Sequence, residues 1–402
     1  MRIVYLHQYF VTPNMAGGTR SFEMARRLVA AGHEVHVVTT DQSADARHRG
    51  WRESVESGIH VHWIGVPYGN EMSNAARINA FMRFALAAAR RAASLRSDVI
   101  FATSTPLTIA LPALFASMLG RTPFVFEVRD MWPDVPIALG VLRNPIAVWL
   151  AKQLEMTAYR RAKHVVALAP GMRQDIIDKG IDPQKVSVIP NGCDLDVFGV
   201  ATDSSPRSEF RWLGGRRLVL YAGTLGKVNG VDYLVRIAAA AARIDPEIRF
   251  VVIGRGRERD KVRALAEEMN VLDRSFFMLE SLPKTELARW LQAADMIVAL
   301  FTGPRAVWKD AVQNKFFDAL AAGRPIANNF DGWQSQVAVA SGVGLMLDPD
   351  DVDSASRTLV DALNDSGWLD GARVRARALA EGRFNRDRLA TELERVLVAA
   401  AT

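Results

Sequence analysis

The sequence predicts an α/β protein of two doubly wound domains, each a parallel sheet covered by helices on both faces. Three observations predict it: two successive sets of apolar strand-like runs, helical stretches between the runs, and a turn-rich segment dividing the sets near the middle of the 402-residue chain. Runs that are apolar throughout belong to strands buried on both faces, and such strands are parallel and connected by helices.

In chain order the first set is RIVYLHQYF (2–10), HEVHVVTT (33–40), VHWIGV (61–66), SDVIFATS (97–104), TPFVFEVRD (122–130) and KHVVALAP (163–170). The second set is RRLVLYAG (216–223), IRFVVIG (248–254), SFFML (275–279), DMIVAL (295–300), RPIANN (324–329) and VGLML (343–347). The segment VSVIPNGCDLDVFGVATDSSPRSEFRWLGGRR (186–217) is rich in turn formers and poor in periodicity, so the seam falls there, between domains at 1–190 and 191–384. The closing stretch RFNRDRLATELERVLVAA (383–400) predicts a terminal helix with Asn385 at its N-cap. The uncharged run VIFATSTPLTIALPALFASMLG (99–120) is long enough to span a bilayer, but the Thr103-Ser104-Thr105-Pro106 stretch and Pro112 divide it into a buried strand, a loop and a core helix.

Apolar residues make up 49% of the chain and charged residues 23%, a globular balance that excludes a disordered protein. Cys193 is the single cysteine, which excludes a disulfide framework and a thiolate zinc cluster and fits a reducing cytoplasm. The first strand begins almost at Met1, with no pattern of a secretory leader. The net charge of +6 is uneven: residues 1–195 hold 22 Lys and Arg against 16 Asp and Glu, and residues 196–402 hold 28 against 28. A basic first half suits an anionic partner, either a phosphate-bearing substrate or a membrane surface. Nucleic acid is disfavoured, because no interleaved basic and aromatic platform is present.

In open parallel sheets ligands bind at the carboxyl ends of strands, so the loops there carry the chemistry. Gly17-Gly18 follows the first strand and precedes a helix, where free amides attract phosphate. YAGTLGKVNGVDYL (221–234) is again strand, turn and helix: Gly223, Gly226 and Gly230 free the backbone, and Lys227 offers a charge for a diphosphate. It lacks the Gly-Lys-Ser/Thr ending of a P-loop, and Gly254 and Gly256 lack the third glycine of a dinucleotide fingerprint. In KDAVQNKFFDALAAGRP (309–325), Asn314 is a candidate cap for a helix that holds Lys315 and Asp318 and stops at Gly323 and Pro325. An acid near a helix start is ordinary dipole chemistry. A lysine there is disfavoured unless it meets a bound anion.

Taken in order, Gly17-Gly18, Asn191-Gly192, GTLGKVNG (223–230) and two acids separated by seven residues before ALAAGRP resemble the retaining GT-B glycosyltransferases of family 4. The likeness runs from Met1 to the terminal helix. FEVRDMWPD (126–134) and NKFFDALAAGRP (314–325) are similar to the subgroup that builds bacterial surface polysaccharides, including N-acetylfucosamine transferases. The resemblance implies a GT-B fold of two Rossmann-like domains facing a central cleft, with the helix over 385–402 returning to the first, acceptor-binding domain and the second domain holding the donor. It implies a UDP-sugar donor, no metal ion, and front-face attack in which the leaving diphosphate takes the acceptor's proton, so that catalysis lies in positioning and charge stabilisation.

Residue by residue, the family's paired glutamates match Asp310 and Asp318, the first orienting hydroxyls of the donor sugar and the second holding the ribose. Its diphosphate arginine and lysine would fall at Thr224 and Asn229, neither of them basic, which leaves Lys227 or Lys315 to supply the charge. Gly17, Gly18, Gly226, Gly254, Arg255, Leu282 and Asn314 complete the implied donor set. Asp130, with Arg129 where the family usually has histidine, is implied to orient or deprotonate the acceptor, and His7 lines the cleft or serves structure. The Asp-x-Asp within CDLD (193–196) reads as incidental, not as a metal signature.

The implied acceptor is a polyprenyl-diphosphate-linked or other glycan, contacted by Arg20, Arg77 and Arg83, with the protein peripheral on the cytoplasmic face of the inner membrane. The stretch 74–96 places Arg77, Arg83, Arg90, Arg91 and Arg96 among apolar residues without forming a clean amphipathic helix. A sugar-nucleotide epimerase of the same architecture and a non-catalytic nucleotide-sugar-binding subunit are the rival readings. A nicotinamide-dependent oxidoreductase is the weakest.

Overall fold

The computed structural model describes every residue except 14, 16, 42–49, 67–71 and 199–204, and it divides into two compact units, Met1–Pro190 with Asp387–Thr402, and Asn191–Arg386. Part of the turn-rich seam, 199–204, lies outside the described residues.

The first unit contains strands β1 (Arg2–Leu6), β2 (Glu34–Asp41), β3 (Trp51–Glu56), β4 (Ile59–Gly65), β5 (Val99–Thr103), β6 (Phe124–Val128), β7 (His164–Ala167) and β8 (Val186–Val188). They form one sheet in the order β3-β4-β2-β1-β5-β6-β7-β8, parallel except where β3 pairs antiparallel with β4. Its helices are α1 (Arg20–Ala30), α2 (Asn74–Ser94), α3 (Ala110–Gly120), α4 (Asp134–Ala138), α5 (Pro145–Arg161) and α6 (Pro170–Asp178). The central strands β5 and β6 are buried along their whole length, as their largely apolar runs predict, with Glu127 the one charged residue among them. The edge strand β3 is half exposed and rich in charge, so it carries no such run in the sequence. The uncharged run 99–120 resolves into β5, a short turn and α3, and among the described residues no helix is long and apolar enough to cross a membrane.

The second unit contains α7 (Leu195–Phe198), α8 (Pro206–Glu209), β9 (Leu218–Ala222), α9 (Val231–Ala241), β10 (Arg249–Ile253), α10 (Arg259–Glu268), β11 (Phe276–Leu279), α11 (Lys284–Ala293), β12 (Met296–Ala299), α12 (Asn314–Ala321), β13 (Ile326–Asn328), α13 (Trp333–Ala340), β14 (Gly344–Met346), α14 (Val352–Asn364) and α15 (Ser366–Glu381). Its sheet runs β11-β10-β9-β12-β13-β14 and is parallel throughout. Val219, Phe250 and Val298 from the strands meet Leu234, Ile237 and Leu359 from the helices in one core.

The terminal helix α16 (Arg386–Ala401) packs with the first unit: Leu389, Leu393 and Leu397 join Ile3, Tyr5, Phe22 and Phe101 in one cluster. The boundary differs by two residues from the sequence expectation. Asn385 and Arg386 stay with the second unit because the Arg386 guanidinium donates to the Gly192 carbonyl at 2.5 Å and holds the buried Asp194 carboxylate, which also takes the Lys284 ammonium. This explains CDLD: Asp194 is fully enclosed by cations of its own chain.

Arg20 is not an acceptor contact. It is 2% exposed, and its guanidinium meets Glu127 at 2.7 Å and donates to the carbonyls of Ile189 and Pro190 at 2.9 and 2.6 Å. The sequence places an arginine in the first turn of α1 but does not say that this turn faces the sheet. Burial raises the proton affinity of Glu127, but the charge and hydrogen bonds of Arg20 outweigh it and hold the carboxyl below its usual range. Glu127→Ala would leave Arg20 charged and unpaired in the core, at a cost of about 3–5 kcal/mol. Urea unfolding should read that loss, and Arg20→Met combined with Glu127→Leu should recover most of it.

Candidate functional site

The second unit builds its site at the carboxyl ends of β9 and β10. After β9 the chain enters the loop at Gly223, whose φ is +150° and whose N–H donates to Ile253 at 2.9 Å. The loop is pinned to the one after β10 by a bond from the Leu225 N–H to the Arg255 carbonyl at 3.0 Å. A Cβ on Gly254 would stand 1.9 Å from the Gly223 carbonyl oxygen, so the two loops approach as closely as they do because that side chain is absent. A Cβ on Gly223 would in turn meet Lys315 Cε at 2.8 Å and Nζ at 3.0 Å. The lysine therefore lies in a notch that glycine leaves open.

Lys315 comes from the first turn of α12 and holds its ammonium 4.8 Å from the centre of the Tyr221 ring, whose hydroxyl donates to the Thr224 carbonyl at 2.7 Å. Burial lowers its pKa to about 8, with Asp318 working against the shift. Asp318, three residues on, is half-buried, and its carboxyl is raised by burial and by Asp194 against the pull of Lys284, Arg386 and Lys315. Lys315 and Asp318 thus share one electrostatic neighbourhood. Asp310 is nearly buried just before the helix, with the Lys309 ammonium 3.7 Å away.

Asn314 is not the cap of α12. Gln313 occupies that position without a side-chain cap, and Asn314 begins the helix with its side chain accepting from Asn191 at 2.9 Å. The sequence offers Asn314 as the better capping type, but its side-chain oxygen is taken up by Asn191, and Gln334 instead holds the backbone of Gln313. Gln334 accepts from the Gln313 N–H and donates to the Gln313 carbonyl, each at 2.9 Å, while Gln313 reaches the Leu300 carbonyl at 2.8 Å. This amide clasp fixes where α12 starts, and no local pattern in the sequence signals it. Of the remaining donor candidates, Thr224, Lys227 and Arg255 are exposed on the two loops, Gly226 is half-buried beside them, and Leu282 is half-buried before α11.

In the first unit, His7 follows β1 and Arg129 follows β6. The Arg129 guanidinium stands 3.3 Å from His7 Nε2, and since arginine only donates, that nitrogen accepts and Nδ1 carries the proton. Burial and the Arg129 charge push the His7 pKa well below its ordinary value, so the imidazole is neutral. Asp130 is exposed and accepts from the Thr105 hydroxyl at 2.9 Å. Gly17 and Gly18 are exposed ahead of α1, Arg77 is half-buried and Arg83 exposed on α2. Sequence reasoning missed Gln8, whose buried amide meets no hydrogen-bond partner among the described residues. Among the described residues no group of three or more His, Cys, Asp or Glu is placed to hold a metal ion.

Two sequence-family profiles match the chain, one described as a glycosyl transferase 4-like domain over residues 16–192 and one as glycosyl transferases group 1 over residues 216–365. The chain belongs to the family 4 glycosyltransferases, with the GT-B fold. WcaI of Escherichia coli strain K12, assigned to colanic acid biosynthesis as a glycosyl transferase, is 24% identical over 289 residues, 67% of this chain and 70% of its own length. Alpha-maltose-1-phosphate synthase of Mycolicibacterium smegmatis is 26% identical over 264 residues, and the match spans 62% of this chain and 65% of that protein. Among solved structures, sucrose-phosphate synthase from Thermosynechococcus elongatus has a TM-score of 0.79 at 16% identity, covering 99% of each chain. HepE of Anabaena in complex with UDP-glucose has a TM-score of 0.71 at 16% identity, covering 99% of this chain and all of its own.

Within this glycosyltransferase, Lys315 gives the site a signature in pH. Below pH about 8 the folded and unfolded chains both carry its proton, and the buried ammonium costs stability. Between about 8 and the ordinary value of 10.5 the unfolded chain alone keeps the proton, so ligand-free stability contributed by this group rises with pH. Urea unfolding across that window should show this rise in the difference between wild type and Lys315→Met.

Proposed function

We propose that this glycosyltransferase moves a sugar, an N-acetylated or deoxy hexose, from a UDP-sugar to a lipid-linked or glycan acceptor in the building of a bacterial surface polysaccharide, with retention and without a metal ion. The observation that carries the reading is Lys315, a partly desolvated cation resting in the Gly223 notch at the end of β9 with Asp318 beside it. A buried ammonium facing an aromatic ring rather than a close carboxylate is a half-built ion site, and a diphosphate supplies the missing half. The UDP-glucose bound by HepE, of the same fold, supports a nucleotide-sugar donor. The assignment of WcaI to colanic acid biosynthesis supports a surface polysaccharide.

In this reading Lys315, aided by Lys227 on the exposed loop, offsets the charge that develops on the departing diphosphate. Asp318 holds the ribose and Asp310 orients hydroxyls of the donor sugar. Asp130, fixed by Thr105, orients the acceptor hydroxyl with Arg129 behind it. The protein works on the cytoplasmic side of the inner membrane, where a polyprenyl-diphosphate acceptor lies.

UDP should stabilise the protein in the presence of EDTA, by roughly 2.7 kcal/mol at a hundredfold excess over its Kd, and GDP, ADP and NAD should not. Lys315→Ala should weaken UDP binding about tenfold or more, the worth of a charge-assisted contact. Stabilisation by NAD alone, or only with added Mg²⁺, would overturn the reading. A second test concerns Asp130→Asn, which should keep UDP binding and lose roughly 10²-fold or more in kcat toward a lipid-linked acceptor. Normal turnover would remove Asp130 from the chemistry, and binding without turnover by the wild type on any acceptor would favour a non-catalytic subunit.

A further inference from the structure

The strand order places α2, α3 and α5 on one face of the first sheet, because each is a right-handed crossover moving in the same direction along it, and α3 packs against both α2 and α5. Their outer surfaces therefore point together, away from the sheet. On α2 that surface carries Ile78, Met82 and Leu86 at four-residue spacing, all exposed. On α3 it carries Phe115, Met118 and Leu119, with Met118 72% exposed. On α5 it carries Ile146, Trp149 and Leu150, with Ile146 70% and Trp149 60% exposed. In the second unit, by contrast, the exposed large apolar residues Val228, Ile244, Val339, Met346 and Val374 stand singly, no two on one helix or strand. Scattered exposed side chains need no explanation, whereas three adjoining apolar stripes mark a surface that something covers.

The charge around these stripes selects the cover. The stretches 74–96, 107–121 and 135–154, which hold all three stripes, contain no Asp or Glu. Arg83, Arg90, Arg121, Arg143 and Lys152 are exposed along them. Apolar stripes bordered by cations and free of carboxylates match an anionic lipid surface, whose headgroups meet the cations while the side chains enter the acyl boundary. We propose that the outer face of α2, α3 and α5 seats the protein on an anionic bilayer. The inference deepens the membrane-side reading above and rests on it only for the identity of the acceptor. Helices of a crossover start at the carboxyl edge of the sheet, so Ile78 and Met82 on α2 and Ile146 to Leu150 on α5 lie toward the edge where Asp130 stands. A lipid-linked acceptor could then keep its tail in the membrane while its head reaches that edge.

The test is flotation of the full chain with phosphatidylcholine vesicles, with and without phosphatidylglycerol, beside UDP-induced thermal stabilisation of the same preparations. Wild type should float only with the anionic vesicles and release in high salt. Trp149→Ser combined with Leu150→Ser should weaken binding about tenfold or more, and Lys152→Gln should weaken it for anionic vesicles alone. Val374→Ser should float as wild type does. Equal flotation of wild type and the Trp149/Leu150 variant would place the membrane contact elsewhere and overturn the proposal. So would failure of wild type to float, including the case where sedimentation reveals a dimer that these substitutions disperse. Circular dichroism and a cooperative thermal transition matching those of the wild type certify the fold of the double variant, whose substitutions lie in the first unit. Loss of UDP stabilisation in the wild type would instead sink the transferase reading and leave the vesicle result standing.

Discussion

Burial of both sheet faces is the constraint from which the sites follow. Strands such as β5, β6, β9 and β10 have every residue enclosed, so a polar side chain along them would need a partner inside the core. The candidate site groups stand instead at the points where strands end. In the first unit His7, Thr105, Arg129 and Asp130 each follow a strand directly. In the second, Gly223 to Lys227 and Gly254 to Arg255 do the same. Polar and charged groups gather at strand ends because the backbone there leaves the sheet and its side chains leave the core.

The buried charges fall into two kinds. Arg20 with Glu127, and Asp194 with Arg386 and Lys284, are closed sets in which each ion meets an opposite one within hydrogen-bond reach. Breaking such a set costs more than forming it gains, and that asymmetry fixes the helix α1 to its sheet and the chain end of the second unit to its beginning. Lys315 is different in kind. Its ammonium lies over the Tyr221 ring, and the attraction of Asp318 only partly offsets its burial. A cation left in that condition gains stability from an anion placed beside it, which a closed ion pair does not.

Much of this was legible in the chain, and what was missed follows a physical pattern. The unbroken apolar runs gave the central strands of both sheets, while β3 escaped notice because an exposed edge strand has no such run. The glycine loops after β9 and β10 were visible as loops, although their mutual approach through Gly254 was not. Asn314 was a sound capping residue by type, but its side chain is taken up by Asn191, and the helix starts after Gln313, whose backbone N–H and carbonyl are held by Gln334, twenty-one residues beyond it. Arg20 looked like a surface cation, and the first turn of α1 turned out to face the sheet.

By itself the sequence determined the α/β class, the two domains and the order of the loops, because each depends on local composition and spacing, and its motifs carried the resemblance to the glycosyltransferase family that the family profiles bear out. The tertiary structure decided which charges close on each other, where Lys315 rests, and which apolar side chains of α2, α3 and α5 remain uncovered. The physical reason is that periodicity assigns a residue to a face of a helix, but only packing against distant parts of the chain settles whether that face is filled.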